Sequence, residues 1–406
     1  MILYIDPGTG SMLFSVIIGL TSALYFIGKA FIIKFKFIFT GRGTKTEKAL
    51  YPLVIYSEGN QYWTTFKPIL DALENREIAT VFYTSDKDDP ALTTPYTFIQ
   101  SEFIGEGNKA YTRLNFLEAD VCLMTTPGLD VYQLKRSKGV KHYSHILHAP
   151  TDATTYRLFG LDYFDSVLLT GDYQKEHLQL LETQRAIDEK ELVTVGCPYL
   201  DFAQETITSM NILENDSFTI LVAPSWGESS LLHVYGTQLL DKLIDTGFHI
   251  IVRPHPQSKI VDKELLKNID TRYKSHENFE WDLSSDNTLS MAKSHIMISD
   301  FSGILFDYVF LFNKPIMYAL KNFEPRLYDL YDLPEEPWIF KVLPTIGIEL
   351  NETHFDTFKT TLLDVTNSER FATNRMKAKE TAWQFQKEGG EKVADFLVST
   401  LKELQS

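Results

Sequence analysis

The feature that most constrains this chain is an alternation. From Pro52 onward, short apolar runs of strand character are separated by stretches whose apolar residues recur at helical spacing. Leu53–Tyr56, Ala79–Thr84, Val121–Thr125, Ser144–His148, Ser166–Thr170 and Leu192–Val195 read as strands. Between them, 62–75 carries Trp63, Phe66, Leu70 and Leu73 on one helical stripe, and a second helix is predicted from about 172 to 183. Pro68 either kinks the first helix or marks its first turn. After a polar interruption at Glu214-Asn215-Asp216-Ser217 a second set begins. It has strands at Phe218–Ala223, Phe248–Val252, His295–Ile298 and Pro315–Ala319, and helices at 236–244 and 304–311. Such alternation implies mostly parallel sheets, an α/β fold of two halves that meet near residue 205. The 406 residues exceed what one core holds. We therefore read 49–205 and 206–382 as two domains. Residues 383–406 form a closing segment, with Val393, Phe396, Leu397, Leu401 and Leu404 on one stripe of an amphipathic helix that seeks a groove.

The amino terminus is different. Ser11 to Gly28 is an uncharged, mostly apolar stretch, close to the roughly 20 residues that span a bilayer as a helix. Only Asp6 is charged before it, whereas Lys29, Lys34, Lys36, Arg42, Lys45 and Lys48 follow. The positive-inside rule then predicts a single-pass anchor within 1–48, with its amino end outside and the body on the cytoplasmic side of the inner (cytoplasmic) membrane. A cleaved signal peptide would need basic residues ahead of the apolar run and a cleavage site after it, and neither is present. The formal charge of −15 argues against a nucleic-acid partner. Two cysteines, Cys122 and Cys197, are too few for a disulfide framework or a Cys-rich zinc site. Asp86-Lys87-Asp88-Asp89 has the form of the D-x-D metal loop of some sugar-nucleotide transferases, but beside Pro90 in a charge run it reads as a solvated loop; no metal and no cofactor is expected.

Polar signatures follow several of the strands, where parallel sheets present their functional loops. Arg253-Pro254-His255-Pro256 offers a guanidinium for bidentate phosphate binding and an imidazole stiffened by two prolines. Ser299-Asp300-Phe301-Ser302-Gly303 opens a predicted helix whose free N–H groups, dipole and two hydroxyls suit an anion. One turn into that helix, Asp307 and Tyr308 either support this site or are satisfied polar residues. Pro224-Ser225-Trp226 lacks the first glycine of a nucleophile elbow and reads as a ligand-binding loop. In the first half, His148 ends its strand, and a neutral imidazole there can take a proton from an attacking hydroxyl, with Asp152 fixing its tautomer. His145 and His142 compete for the same role.

Taken in order, these motifs resemble the CDP-glycerol glycerophosphotransferase family, the teichoic-acid-type polymerases and primases. The resemblance spans roughly residues 140 to 400. It rests on His148, Gly196-Cys197-Pro198 with Asp201, Leu221 through Trp226, Arg253 through Pro256, Ser299 through Ser302 with Phe306-Asp307-Tyr308, Lys314-Pro315-Ile316 and Lys387-Glu388-Gly389-Gly390. The chain departs from the family where the first histidine is followed by Ala149-Pro150-Thr151-Asp152-Ala153 rather than a Gly-Thr-Pro-Leu-Lys run, and where Gly303 replaces a second Ser.

The resemblance implies a GT-B fold of two Rossmann-like domains facing a cleft, with the cytidine nucleotide held by the second, and importance for the histidines that match His148 and His255. The expected reaction is transfer of glycerol phosphate, or a similar polyol phosphate, from CDP-glycerol to a hydroxyl of a membrane-associated or lipid-linked glycan acceptor, with release of CMP. The donor would lie among Arg253, His255, Ser299, Asp300, Ser302, Gly303, Pro224, Ser225 and Trp226, with His148 as base. Alternatives are a GT-B glycosyltransferase using a sugar nucleotide, and a non-catalytic membrane-tethered binding protein of the same fold.

Overall fold

The computed structural model describes residues 51–210, 217–284 and 286–406. The first half builds seven parallel strands: β1 (Tyr51–Ser57), β2 (Thr80–Thr84), β3 (Ile99–Phe103), β4 (Glu118–Met124), β5 (Gly139–Ile146), β6 (Ser166–Leu169) and β7 (Glu191–Thr194). They lie in the order β3-β2-β1-β4-β5-β6-β7. The second half builds six more: β8 (Thr219–Val222), β9 (His249–Val252), β10 (Phe279–Trp281), β11 (Ile296–Ser299), β12 (Ile316–Tyr318) and β13 (Gly347–Glu349), ordered β10-β9-β8-β11-β12-β13. Strands covered on both faces can be apolar throughout. Leu53, Val54 and Ile55 of β1, and Ile220, Leu221 and Val222 of β8, are accordingly fully buried.

The strands expected from sequence are present, although β5 starts earlier than expected and ends two residues before His148. Three others, β3, β10 and β13, lack a clear apolar run. All three are sheet edges, and in β3 only Ile99 is buried. An edge strand has fewer neighbours to bury against, so its sequence is less apolar.

Both sheets reverse direction beside their first strand. Leu53 of β1 faces Thr80 of β2 on one side and Val121 of β4 on the other. Ile220 of β8 likewise sits between Ile250 of β9 and Ile296 of β11. Crevices open at the carboxyl ends of strands where such a reversal occurs, which places the loops after β1, β4 and β5, and after β8, β9 and β11.

Two passages of chain join the halves. One leads from β7 into the helix Pro198–Ser209; the other returns through the helix Ala372–Ala382 to the last helix, Gly389–Gln405. That last helix packs its predicted stripe, Val393, Phe396, Leu397 and Leu401, into the first half beside Phe66, Ile69, Leu70 and Leu73 of the helix Trp63–Asn75. Pro68 lies inside the Trp63–Asn75 helix. A side chain at Gly390 would come within 2.6 Å of the Pro68 carbonyl, so only glycine permits this approach. Asp201 joins the two passages, accepting from Trp383 Nε1 (2.9 Å), Lys387 N (2.7 Å) and Gly389 N (2.8 Å). Asp201 and the Gly389-Gly390 pair thus have structural work. Among the described residues no helix is long and apolar enough to cross a membrane; the span expected at 11–28 lies outside them.

Candidate functional site

In the second half, the loops after β8 and β11 are tied together by one carboxylate. Asp300 is 1% exposed and accepts from Ser225 N (2.9 Å), Ser225 Oγ (2.9 Å) and Leu231 N (2.8 Å). Burial pushes its pKa up, while these donors pull the other way. Ser299 is fully buried, and its hydroxyl donates to the Ala223 carbonyl. Pro224 is buried as well, and it stiffens the turn from which Trp226 projects 44% exposed. The donor-binding role expected of Ser225, Asp300 and Ser299 is therefore corrected for their side chains: they shape the loop by bonding within it.

Arg253 needs a similar correction. Its Nη1 is 2.6 Å from Asp282 Oδ2 and 3.1 Å from the Asp286 carbonyl, and its Nη2 donates to the Ser284 carbonyl at 3.0 Å. A guanidinium so engaged holds the loop after β10 rather than standing open to a phosphate. His255 is only half-buried. Its Nδ1 accepts from Gln257 N at 3.1 Å, which leaves the ring proton of the neutral form on Nε2, a donor directed away from the backbone. Burial lowers its pKa, so the neutral form prevails near pH 7. The Trp226 ring centroid lies 6.4 Å from that of His255.

Ser302 and Gly303 open the nine-residue helix Ile304–Phe312, whose amino end no side chain caps. Ser302 is partly exposed, and among the described residues its hydroxyl makes no hydrogen bond. A side chain at Gly303 would meet Thr151 Cγ2 at 3.6 Å, so the helix start of the second half lies against the loop that follows His148 in the first.

His148 sits in that loop between two tyrosines. Its ring is edge-on to Tyr62 at 5.0 Å, and its Nδ1 is 3.3 Å from the Tyr156 hydroxyl. Burial lowers its pKa to about 4, so it is an unprotonated acceptor at neutral pH. The tautomer partner expected here was Asp152, and the structure corrects it to Tyr156. The Asp152 carboxylate is 2% exposed and accepts from Ile339 N at 2.7 Å, pinning the first half to the helix Trp338–Ile346. Of the competing histidines, His142 bonds Ser166 Oγ at 2.9 Å and lies beside Phe396 of the last helix, while His145 is fully buried.

The strand-end rule applied to β1 would also have singled out Glu58 and Tyr62. Burial raises the Glu58 pKa, with the Thr126 hydroxyl opposing, and Glu58 in turn disfavours ionisation of Tyr62 and Tyr156. The hydroxyls of Thr125 and Thr154 are buried without hydrogen-bond partners among the described residues. Tyr156 has no signal in the sequence, because it is placed by a short 3-10 turn, Ala153–Thr155.

The remaining candidates are buried behind the helix start. Tyr308 is fully buried, and its hydroxyl bonds the Ser294 hydroxyl (3.1 Å) and carbonyl (3.3 Å), a packing role. Lys314 closes the same corner by donating to the Met291, Ala292 and Ser294 carbonyls. Asp307 accepts from Tyr199 at 3.0 Å through Oδ2, whereas its buried Oδ1 has no partner. Burial raises its pKa to about 7.

Residues 162–329 match the model of a family described as CDP-glycerol:poly(glycerophosphate) glycerophosphotransferase. The matched span contains every second-half loop described above and begins after His148. Among solved structures, the wall teichoic acid polymerase TagF superposes with a TM-score of 0.55 at 17% identity, covering 87% of this chain and 90% of that one. TagF soaked with CDPG gives 0.55 at 14% identity, with 89% and 92% covered. A UDP-GlcNAc 2-epimerase from Neisseria meningitidis, bound to UDP-GlcNAc, gives 0.58 at 13% identity, with 86% and 100% covered. At these identities the likeness is one of fold, the two-sheet GT-B arrangement shared with TagF and the epimerases. No curated protein matches the sequence.

Proposed function

We propose that the chain transfers glycerol phosphate from CDP-glycerol to an acceptor hydroxyl, releasing CMP. The observation that carries this reading is that the family match falls on the loops after β8, β9 and β11, which converge at the strand reversal of the second sheet. There the His255 Nε2–H, the Ser302 hydroxyl and the uncapped start of the Ile304–Phe312 helix supply donors and a positive dipole end for the diphosphate. Trp226 offers the nucleotide an exposed ring. Asp300, Arg253 and Ser299 hold these groups in place by the bonds described.

The acceptor oxygen attacks the phosphorus that bears glycerol, and the bond from that phosphorus to the oxygen of CMP breaks. His148 Nε2 takes the hydroxyl proton. Phosphoryl transfer asks mainly for positioning and charge stabilisation, which these groups supply. The 11–28 segment, read as a single-pass anchor with the body on the cytoplasmic side, would keep the body near a lipid-linked acceptor.

The test is CMP release from purified protein offered CDP-glycerol, CDP-ribitol and UDP-GlcNAc with a glycan-lipid acceptor. CDP-glycerol should be consumed in preference. His148→Ala and His255→Ala should each cost roughly 10²–10⁴ in rate while far-UV dichroism stays unchanged. Preferential use of UDP-GlcNAc, or full activity in either variant, would overturn the reading.

A further inference from the structure

One phenol lies between two imidazoles. The Tyr156 hydroxyl is 3.3 Å from His148 Nδ1 and 3.2 Å from His145 Nε2. A phenol donates one proton and accepts at its oxygen, so the three groups allow two neutral arrangements. In one, His148 Nδ1–H donates to the Tyr156 oxygen and the Tyr156 O–H donates to His145 Nε2. His148 Nε2 is then a bare lone pair. In the other every proton is reversed, and His148 Nε2 carries hydrogen and cannot act as a base.

The surroundings of His145 choose between them. His145 is fully buried, edge-on to Tyr156 at 5.3 Å and to Phe164 at 5.0 Å. Burial and the nearby His148 ring oppose its becoming a cation, and the Thr126 backbone carbonyl is the group that favours a proton on it. A carbonyl acts on an N–H, and Nε2 is occupied by Tyr156. The nitrogen that keeps its hydrogen is therefore Nδ1, which makes no hydrogen bond of good geometry. That leaves His145 Nε2 as an acceptor and sets the first arrangement. Tyr156 itself stays a phenol, because burial, Tyr62 and Glu58 all resist its ionisation.

We propose that Tyr156 and His145 are positioning residues that set the tautomer of His148, holding its Nε2 unprotonated toward the acceptor. The proposal rests on reading His148 as the base. When the acceptor's proton reaches Nε2, the resulting imidazolium keeps its Nδ1–H on Tyr156, and no further proton needs to move until product has left.

The full chain, labelled with 15N-histidine, reports the tautomers directly by two-bond 1H–15N correlation at pH 7. The expected result is Nδ1–H for both His148 and His145, with His148 shifting toward Nε2–H in Tyr156→Phe. In turnover, Tyr156→Phe should lower kcat ten- to a hundredfold, leave the CDP-glycerol KM unchanged and move the acid limb of the pH profile. His145→Gln, which still offers Tyr156 an acceptor oxygen, should retain more activity than His145→Leu. An Nε2–H tautomer of His148 in the unaltered chain, or a Tyr156→Phe chain with unchanged tautomer and pH profile, would overturn the relay. A chain inactive on every donor would sink the proposed function, and the spectra would still decide the relay.

Discussion

The two halves of the site treat their polar groups in opposite ways. In the second half the groups are spent on each other: Asp300 on Ser225 and Leu231, Arg253 on Asp282 and Ser284, Ser299 on Ala223. In the first half Thr125 and Thr154 keep buried hydroxyls without partners among the described residues. A loop whose donors and acceptors are already matched is a rigid cradle, and it presents only the few groups left over, His255, Ser302 and a helix start. A buried hydroxyl left unmatched carries a desolvation cost. The loops of the second half are thus matched among themselves, and the first half carries hydrogen-bonding groups left unspent.

The comparison breaks first at Asp300. Asp300→Ala strands two backbone N–H groups and a hydroxyl, and should destabilise by roughly 3 kcal/mol or more, read as a lower urea midpoint. A loss below about 1 kcal/mol would mean that the second half is not built on that carboxylate.

Arg253→Lys comes next, because an ammonium cannot reproduce the fork that spans Asp282 and the loop carbonyls. The expected cost is about 1–3 kcal/mol with a raised CDP-glycerol KM. A collapse of kcat at unchanged KM would instead put the guanidinium on the transferring phosphate.

Asp307 sharpens the contrast from within the second half, since one of its oxygens is unmatched. Its pKa is raised by burial to about 7, so the stability carried by its proton is full below the ordinary carboxylate range and is lost as pH rises through 7. Asp307→Asn mimics the protonated form and should melt above the unaltered chain at pH 8 but not at pH 4.5. Equal shifts at both values would remove the titration from Asp307. The smallest effect belongs to the first half. Thr125→Val and Thr154→Val should change stability by about 0–1 kcal/mol, in the favourable direction. A loss comparable to that of Asp300→Ala would show those hydroxyls to be matched after all.

The same contrast explains what could be read in advance. Loops that bond internally need particular residues at particular spacings, so Arg253-Pro254-His255-Pro256 and Ser299-Asp300-Phe301-Ser302 stand out as motifs, although the sequence overstated how many of them face a ligand. The expected strands and helices were legible because β1, β8 and β11 are buried on both sides. The edge strands β3, β10 and β13 were not, for want of that burial. On the first side His148 was visible at its strand end. Its partner was mistaken for Asp152, since nothing local distinguishes a carboxylate four residues on from a tyrosine brought back by a 3-10 turn.

The return of the last helix to the first half has a consequence for how the protein is made. Gly389–Gln405 covers Phe66, Ile69 and Leu70, which leave the ribosome some three hundred residues earlier. Until Gly389–Gln405 has been made, that apolar surface lacks this cover. A chain cut off before Leu397 would lose Leu397 and Leu401 from the cluster that holds Phe66, Ile69 and Leu70. At roughly 1.5–3 kcal/mol for each large apolar side chain left uncovered, such a chain would be open to chaperones and proteases before its chemistry could be tested.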